Sequence, residues 1–341
     1  MSKVVTFGEL LLRLSTERHL RFSQAENFEA NYGGSEANIA ISLACFGIDT
    51  DFITRLPNNE LSATAISSLK SHDVGTNHII MGGERLGIYF LETGASLRAS
   101  KVIYDRAYSS ISEIEIGMID WDSIFHDVDL FHWSGITPAI SQNAADVCLE
   151  AVKIAHEKGI SISTDMNYRS KLWNYGKTPA EIMTPLIAYS DIMFGNEKDA
   201  KLHFSIVPLK EDTGLEHEAF LSTADQMMNK FPKLKKIIKT VRGSINASYN
   251  TLQGVIYDGK ELHTTITHEI THIVDRVGGG DAFTAGALYG LLNDNYDNKK
   301  TIDFATAAAC LKHTIHGDLN LTTIEEVENM IAGNDGGTVS R

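Results

Sequence analysis

The sequence is poor in cysteine and proline and contains no long apolar run. Its three cysteines, Cys45, Cys148 and Cys310, lie in apolar or helical contexts without a C-x-x-C spacing. This usage argues for reduced, buried thiols and against a disulfide framework or a zinc knuckle. No window approaches the roughly 20 uninterrupted apolar residues of a membrane-spanning helix. The first residues, MSKVVTFGELLLRL, contain Glu9 and Arg13 and lack a small-residue cleavage pattern, so they indicate a first strand rather than a signal peptide. We therefore expect a cytoplasmic location.

Positive charge is also scarce, because 30 lysines and arginines stand against 44 acidic residues, giving a formal net charge of -14. This balance disfavours nonspecific nucleic-acid binding, which depends on basic surface. An acidic protein that binds an anionic ligand must supply positive charge locally, from helix N-termini, arginines or Mg²⁺. With 43% hydrophobic and 22% charged residues over 341 positions, the composition fits one large globular domain with a small appendage.

Glycine, in contrast, is concentrated at the start of one helix. The stretch 275–292, DRVGGGDAFTAGALYGLL, places Gly278, Gly279 and Gly280 before an apolar run rich in small residues. Backbone N–H groups at a helix start lack intrahelical partners and carry the positive end of the helix dipole, so this turn can surround a phosphate. Asp281 would then lie beside the anion, where it can take a proton from a hydroxyl that attacks phosphorus. We expect it to be a modest base, because the helix start favours its ionised form; the alternative is that it only caps the helix.

A second glycine pair lies far upstream, in the stretch 31–47, NYGGSEANIAISLACFG. There Gly33 and Gly34 precede a helix of small residues that carries Asn38. Together the two stretches resemble the paired signatures of the ribokinase, or PfkB, family of carbohydrate kinases: GG followed by N-x-A, and D-T-x-G-A-G-D-x-F-x-x-G. Three positions depart from this pattern, namely Arg276, Val277 and Gly279. The ending glycine-glycine-aspartate is intact.

The resemblance implies a ribokinase-like α/β fold, a three-layer α/β/α sandwich with a central, mostly parallel sheet and a small antiparallel β lid. It covers nearly the whole chain, so we expect residues 1–341 to form a single kinase domain. The residue pattern agrees, since strand and helix segments alternate from Asp120 onward and predict a parallel sheet covered on both faces. The stretches from about 11 to 32 and from about 86 to 110 are aromatic-rich with period-two character, and we assign the lid to them. The polar tail GNDGGTVSR is expected to be frayed.

Ligands bind at the carboxyl ends of the strands in such a sheet, so polar residues directly after strands are of interest. They follow four predicted strands, in Gly135–Thr137, Asp165–Arg169, Gly195–Glu197 and Arg242–Gly243. Two further predicted strands, ASYNTLQG and GVIYDGK, indicate a hairpin before the glycine-rich helix.

One motif points elsewhere. The stretch 268–272, HEITH, matches the H-E-x-x-H pattern of zinc proteases, which requires a helix so that both imidazoles share one face. The surrounding TTITHEITHIVD is dense in threonine and isoleucine and is typical of a strand. We therefore interpret these residues as a partly exposed strand rather than a zinc site.

Within the family, the resemblance extends to the 2-keto-3-deoxygluconate kinases. It is carried by WSGITPAIS at 133–141, DMNYRSKLW at 165–173 and YFLETGASLRASKVIYDRAYSS at 89–110. This resemblance implies that the acid sugar contacts eight residues: Gly34, Asn38, Tyr89, Tyr104, Arg106, Arg169, Asp281 and Asp318. A carboxylate pairs well with guanidinium groups, so Arg106 and Arg169 are expected to hold the acid end. Tyr89 and Tyr104 would add hydroxyl donors and ring faces.

On the nucleotide side, the resemblance implies contacts of ATP with Asn167, Arg242, Gly243, Asn246, Gly278 and Gly280. Asn246 stands where the family usually has a glycine. We expect no direct protein ligand to a metal; Asn196 and Asp199 resemble an N-x-x-E motif and would act on Mg²⁺ through bound water. The alternative is that Asn196 simply caps a helix. A requirement for a monovalent cation is left open.

The sequence therefore predicts a kinase that transfers the γ-phosphate of ATP to the 6-hydroxyl of 2-keto-3-deoxygluconate, with Asp281 as base and Gly278, Gly279 and Gly280 as anion hole. The alternatives are another sugar kinase of the same fold, such as a fructokinase or a ribokinase-like enzyme, and a non-catalytic sugar-acid sensor. Gluconate- and galactonate-derived acids differ at one hydroxyl and are not distinguished by the sequence. The expected ligands are the sugar acid and ATP, and we expect no binding to nucleic acid or membrane. We also expect a homodimer through the lid or a higher homo-oligomer.

Overall fold

The computed structural model describes residues 2–209 and 217–334, and the expectation for the tail from residue 335 onward lies outside these ranges. The strands are β1 (Lys3–Phe7), β2 (Leu11–Thr16), β3 (Phe28–Gly33), β4 (Asp49–Ile53), β5 (Arg55–Leu56), β6 (Ile80–Met81), β7 (Gly87–Glu92), β8 (Lys101–Asp105), β9 (Leu130–Ser134), β10 (Ser161–Asp165), β11 (Ile192–Phe194), β12 (Lys236–Asn246), β13 (Tyr249–Tyr257), β14 (Leu262–Thr264) and β15 (His268–Ile270).

Helices alternate with these strands through most of the chain. They are α1 (Ser35–Cys45), α2 (Glu60–Lys70), α3 (Trp121–Ile124), α4 (Thr137–Ile140), α5 (Gln142–Glu157), α6 (Pro179–Ile187), α7 (Glu197–Phe204), α8 (Glu218–Lys230), α9 (Gly279–Leu292), α10 (Asn298–Lys312) and α11 (Ile324–Ile331). None of the helices in the described ranges is long and apolar enough to cross a bilayer.

The main sheet has the order β14-β13-β12-β11-β10-β9-β1-β4, and β15 also pairs with β13. The strands from β12 to β4 pair in parallel, whereas β13 pairs antiparallel with β12, β14 and β15. Side chains alternate across a strand, so Phe131 and Ile237 enter one core while their neighbours Leu130 and Ile238 enter the other. Helices α5, α6 and α8 cover the first face, and α1, α9, α10 and α11 cover the second. The predicted three-layer α/β/α arrangement is confirmed.

The lid is a separate four-stranded sheet in the order β3-β2-β7-β8, drawn from the two stretches predicted for it. Strands β2 and β3 pair antiparallel, as do β7 and β8, while the central strands β2 and β7 run parallel. The lid leads directly into the main domain, because β3 ends at Gly33 and α1 begins at Ser35. The connecting Gly34 must be glycine, since a Cβ there would lie 2.0 Å from the backbone oxygen of Glu9.

The segment before the glycine-rich helix differs from the prediction. The two strands expected in ASYNTLQG and GVIYDGK are one strand, β13, and the hairpin joins β13 to β12, which continues to Asn246 instead of ending near Val241. Gly254 marks no turn; a Cβ at this position would lie 2.2 Å from Thr306 Oγ1, so the glycine permits close packing of α10. The first residues of the HEITH motif form β15, as expected, and not a helix.

Candidate functional site

The glycine turn at the start of α9 borders a cavity through Gly278 and Gly280. Gly278 is the N-cap with φ 81°, and no side chain caps the helix. A Cβ on Gly278 would lie 1.8 Å from the backbone oxygen of Asp318, so this position tolerates only glycine. A Cβ on Gly280 would meet no atom within 4 Å, and Gly280 faces open space. The N–H of Gly279 already donates to Arg276 O at 3.3 Å, and Gly279 lines neither of the two cavities described below. Of the predicted anion hole, Gly280 is therefore best placed to offer its N–H group to a ligand.

Asp281 is the third residue of α9, and its carboxylate points away from the helix backbone. Ser35 Oγ donates to Asp281 Oδ1 at 2.8 Å, and Asn38 Nδ2 donates to Asp281 Oδ2 at 2.7 Å. Asn167 Nδ2 in turn donates to Ser35 Oγ at 2.9 Å, which leaves the hydroxyl proton of Ser35 for Asp281. The alternative that Asp281 caps the helix is wrong, because the N-cap is Gly278 and the Asp281 carboxylate is held by two residues of α1, not by the α9 backbone.

The electrostatics around Asp281 are set by burial. Asp281 borders the cavity but is enclosed by protein on its other sides, and this burial raises the pKa of its carboxyl, while the hydrogen bonds from Asn38 and Ser35 oppose the shift. The pKa of Asp165, at the end of β10, is raised to about 7 by burial and by the carboxylates of Asp281 and Asp199. The sequence led us to expect that the helix start would favour the ionised form of Asp281. The structure indicates the opposite shift, because burial raises the pKa more than the hydrogen bonds lower it.

A first cavity of about 460 Å³ lies between the lid and the carboxyl ends of the strands, with Asp281 and Gly280 in its wall. All eight residues predicted to contact the acid sugar line it: Gly34, Asn38, Tyr89, Tyr104, Arg106, Arg169, Asp281 and Asp318. The lid supplies Tyr89, Tyr104 and Arg106 from β7, β8 and the segment that follows. The structure thus brings these residues together, although they span more than 280 positions of sequence.

Several of the predicted groups already have partners within the protein. Arg106 forms a buried ion pair with Glu9, and its guanidinium lies 5.4 Å from the centre of the Tyr104 ring. Ser109 Oγ also donates to Glu9, at 2.6 Å. The charge of Arg106 is therefore largely neutralised by Glu9, which lowers its value for binding a ligand carboxylate.

Asp318 and Tyr89 are similarly engaged. The hydroxyl of Tyr89 and a guanidinium nitrogen of Arg13 both donate to the Asp318 carboxylate, and Arg13 Nη2 donates to Asp275 Oδ2 at 2.6 Å. Tyr89 thus offers the cavity its ring rather than the free hydroxyl expected from the sequence. Both carboxylate oxygens of Asp318 accept these hydrogen bonds, so little of this side chain remains exposed to a ligand in the cavity.

Three other arginines face the cavity without an ion-pair partner in the described part of the chain. They are Arg169, Arg242 and Arg276. Arg169 donates to the backbone oxygens of Asn167 and Tyr168, at 3.3 and 3.1 Å. The pKa of Arg242 is lowered by burial and by the neighbouring Arg276, as expected for two like charges that share a space. In an acidic protein, this concentration of positive charge indicates an anion-binding surface.

A second cavity of about 550 Å³ adjoins the first and shares five residues with it: Asp165, Asn167, Arg169, Arg242 and Gly280. Its far wall comes from β11, the start of α7 and β12. Asn196 and Asp199 lie in this wall and form a capping box, in which Asn196 Oδ1 accepts from Asp199 N at 3.3 Å and Asp199 Oδ2 accepts from Asn196 N at 2.9 Å. The capping alternative for Asn196 is confirmed, and Asp199 still faces the cavity.

Two residues predicted to bind ATP lie elsewhere. Arg242 is inside β12 rather than after it, and Gly243 and Asn246 follow further along the same strand. Of these three, only Arg242 is among the described residues that line either cavity. Gly243 and Asn246 lie outside these two linings because β12 continues into a hairpin whose tip turns toward the lid, where Ala247 N donates to Ser96 O at 2.7 Å. Their contact with ATP stays a prediction.

Sequence reasoning also missed residues that shape the site. Ser35 and Glu36 lie beside the predicted Gly34 and Asn38, on the first turn of α1, and helical spacing would have indicated that this turn faces Asp281. Glu36 is buried and accepts from Ser134 Oγ at 2.7 Å and Thr137 Oγ1 at 2.9 Å; burial raises its pKa to about 7. For Arg276 the signal was present, because a cation replaces the usual threonine next to the anion turn.

The comparison with known proteins agrees with this geometry. The family model described as pfkB family carbohydrate kinase matches residues 1–324. By sequence, the chain is 28% identical over 338 residues to 2-dehydro-3-deoxygalactonokinase of Haloferax volcanii, covering 98% of this chain and 98% of that protein. By structure, it is similar to 2-dehydro-3-deoxygluconokinase from Thermotoga maritima, with a TM-score of 0.92, 42% identity, and 98% and 100% of the two chains covered. It is also similar to a PfkB family carbohydrate kinase from Listeria grayi, with a TM-score of 0.90, 36% identity, and 97% and 100% covered.

Proposed function

Because the chain belongs to the pfkB family of carbohydrate kinases and is thus an ATP-dependent sugar kinase, we propose that it phosphorylates the 6-hydroxyl of 2-keto-3-deoxygluconate, also called 2-dehydro-3-deoxygluconate. The observation that carries this proposal is the Asp281 carboxylate, held by Ser35 and Asn38 in the same cavity wall as Gly280 at the start of α9. A hydroxyl placed between them can lose its proton to Asp281 while the transferred phosphoryl group lies on the helix N-terminus.

In this mechanism the residues of the chain mainly hold the general base, the attacking hydroxyl and the phosphates in position. Ser35 and Asn38 orient the carboxylate, and its raised pKa makes Asp281 a better proton acceptor than an exposed aspartate. The amide of Gly280 is placed to donate to the phosphoryl oxygens as negative charge develops on them, and its position is already fixed by the helix. Arg242 and Arg276 are placed to hold the polyphosphate, because both face the cavity near the glycine turn.

Bound Mg²⁺ would neutralise charge on the phosphates of ATP, and Asp165, Asn196 and Asp199 supply side-chain oxygens to the wall of the second cavity. Among the described residues, no group of three histidine, cysteine or acidic side chains could hold a metal directly. We therefore propose that Asp199 and Asn196 act through water molecules of the metal's own hydration shell. The capping box keeps these two residues fixed at the start of α7.

We assign the acid end of the sugar chiefly to Arg169. Glu9 neutralises Arg106, whereas Arg169 donates only to backbone oxygens and borders both cavities. A substrate carboxylate would give Arg169 the ionic partner that the described residues do not provide. This preference for an acidic substrate distinguishes the proposed enzyme from kinases of neutral sugars.

The acceptor is tested by a coupled assay over a panel of sugars: 2-keto-3-deoxygluconate, its galactonate-derived epimer, fructose and ribose. The panel contains both sugar acids because one relative is named for the galactonate-derived acid and another for the gluconate-derived acid. We expect kcat/KM to be highest with the gluconate-derived acid. Higher kcat/KM with fructose or ribose would contradict the proposal, and sugar binding without ATP turnover would instead identify a sensor.

The Arg169→Ala variant should lose kcat/KM about 10- to 100-fold with the acid sugar, the range for one hydrogen bond to a charged group. A neutral sugar that the wild type accepts slowly should lose much less. The ratio of the two losses is the measurement, because removing Arg169 also changes the field at Asp281 for every substrate. The matched control is Arg85→Ala, since Arg85 pairs with the exposed Asp105 outside the first and second cavities. Equal losses for acid and neutral sugars in Arg169→Ala would remove Arg169 from this role.

We further propose that two copies of the chain associate through their lids. The lid and its loops expose large apolar side chains, with Phe28 at 41%, Ile103 at 53% and Leu97 at 94% of their full accessibility. A sheet that exposes such residues is normally covered by a partner. Light scattering of the purified protein should give twice the chain mass of 37.5 kDa, and an Ile103→Glu variant should give the monomer mass. A wild-type monomer at assay concentrations would contradict this proposal.

A further inference from the structure

Lys312 is a buried cation that the mechanism above does not use. It is the last residue of α10, its side chain has no solvent exposure, and it lines neither cavity. Its ammonium donates to two backbone oxygens, that of Ile315 at 3.0 Å and that of Asp275 at 3.4 Å. A lysine is rarely fully buried unless its charge has a specific task or partner.

The two oxygens belong to two segments that meet behind the anion hole. Residues 274–278 lead into the glycine turn, and residues 313–318 follow α10. Further bonds join them, with Val274 N donating to His313 O at 2.8 Å and Gly317 N to Asp275 Oδ2 at 3.3 Å. At the end of the first segment, a Cβ on Gly278 would lie 3.2 Å from Lys312 Cε. The ammonium therefore lies directly behind the turn that presents the amides.

The charges in this region balance. Arg13 and Lys312 supply two positive charges with no exposure, and Asp275 and Asp318, 4% and 3% exposed, supply two negative ones. Burial lowers the pKa of the Lys312 ammonium, while the carboxylates of Asp275, Asp318 and Asp281 act in the opposite direction. The field of Lys312 thus extends to the proposed base and to the anion hole.

We propose that Lys312 is a positioning residue for phosphoryl transfer, and that its ammonium takes the position of a bound monovalent cation behind the glycine turn. Backbone carbonyl oxygens that converge on one point are the donors that K⁺ prefers, and an ammonium satisfies the same oxygens while remaining attached to the chain. The fixed charge holds residues 275–278 against residues 313–318 and adds positive potential below the transferred phosphoryl group. The wild-type enzyme should therefore work without any added monovalent cation.

The first test compares wild-type turnover in buffers whose only monovalent cation is a large organic one with turnover in buffers containing K⁺ or NH₄⁺. This inference rests on the kinase activity, so turnover of ATP with the accepted sugar is measured first and shows separately whether the proposed function holds. We expect the same kcat in all three buffers. Activation of the wild type by K⁺ would overturn the inference, because it would require a cation site that Lys312 does not fill.

The second test is Lys312→Ala, which opens a space lined by the two carbonyl oxygens. We expect kcat to fall about 10- to 100-fold, the range for groups that orient others without touching the substrate, with a smaller change in KM. K⁺ or NH₄⁺ should restore kcat in this variant, because either ion can occupy the vacated position. Lys312→Met fills the space without charge and should lose activity without rescue.

The matched control is Lys236→Ala, which removes a half-buried lysine that bonds Asn298 Oδ1 at 2.6 Å and lines neither cavity. Its kcat should equal that of the wild type in every buffer. A folded Lys312→Ala variant with full activity, or with lost activity that no cation restores, would overturn the inference. Should both Lys312 variants fail to fold, the buffer comparison on the wild type still decides, because K⁺ activation contradicts the inference and its absence supports it.

Discussion

Asp281→Asn should lower kcat by about 10²- to 10⁴-fold, the range for a positioned general base, while leaving the protein folded. The asparagine has the shape of the aspartate and can keep both contacts, accepting from Asn38 and donating to Ser35 Oγ. What is lost is the acceptor for the proton of the attacking hydroxyl. The free energy of unfolding should be unchanged or higher, because burial disfavours the charge that the substitution removes. A coupled assay and urea denaturation measure the two effects.

The pH dependence gives an independent measurement of the same group. A base must be ionised to act, so activity is lost as the pH falls through the pKa of the carboxyl. Because burial raises the pKa of Asp281, the acid limb of kcat/KM should lie above the ordinary aspartate value of about 3.9. The Asp281 carboxylate contributes to raising the pKa of Asp165 to about 7, so the two groups titrate together. The acid limb of the pH profile therefore reports the Asp281–Asp165 pair. Asp281→Asn should remove or displace this limb.

Asp297→Asn is the matched control, because Asp297 is a true N-cap whose Oδ1 accepts from Lys300 N at 2.7 Å. Asparagine caps a helix as well as aspartate does, so this variant should retain both stability and turnover. Near-normal turnover in Asp281→Asn would show that Asp281, too, is only a structural aspartate. The assignment of the base, and with it the proposed mechanism, would then be lost.

The sequence predicted those parts of the fold and site whose determinants are local. The alternation of apolar strands with amphipathic helices indicated the parallel sheet, and period-two patterning indicated the lid, because each depends only on neighbouring residues. Gly278 and Asn38 were found because each lies in a short motif at a helix start. The end of β12 was missed because β-pairing with β13, and not the residues themselves, extends the strand to Asn246.

The partners of the charged residues could not be predicted. Arg106 and Glu9 lie 97 positions apart, and no local pattern shows that they neutralise each other. The resemblance and the charge of the side chain assigned Arg106 to the substrate together with Arg169, whereas the structure shows that Arg169 has the freer guanidinium. The same limit applies to Arg13, whose partners Asp275 and Asp318 lie 262 and 305 positions away. Charges without a local signature become interpretable only when the fold brings their partners together.

Arg13→Met should destabilise the protein by about 3–5 kcal/mol, the usual cost of breaking a buried ion pair on one side. Arg13 has no exposure, and it bridges Asp275 and Asp318, so its removal leaves two buried carboxylates without the cation that pairs with both of them. Burial alone lowers the pKa of the Arg13 guanidinium, but the two carboxylates, Asp318 first, raise it above its ordinary value. The charged form of Arg13 is therefore favoured over its neutral form more strongly in the folded protein than in water. Urea denaturation at neutral pH measures the loss in free energy of unfolding.

The control for this prediction is the same substitution at a solvent-accessible ion pair beside the lid, Arg85→Met, where Arg85 Nη2 lies 2.9 Å from Asp105 Oδ1. Solvent screens this pair, so the loss should stay below about 1 kcal/mol. Adding Asp318→Asn to Arg13→Met should recover part of the stability, because it removes one of the two uncompensated charges. Turnover should not recover in the double variant, since Asp318 borders the cavity and its backbone packs against Gly278. An equal loss in free energy of unfolding for Arg13→Met and Arg85→Met would contradict the prediction. Apolar packing, and not the buried charges, would then connect the lid strand β2 to the anion-binding turn.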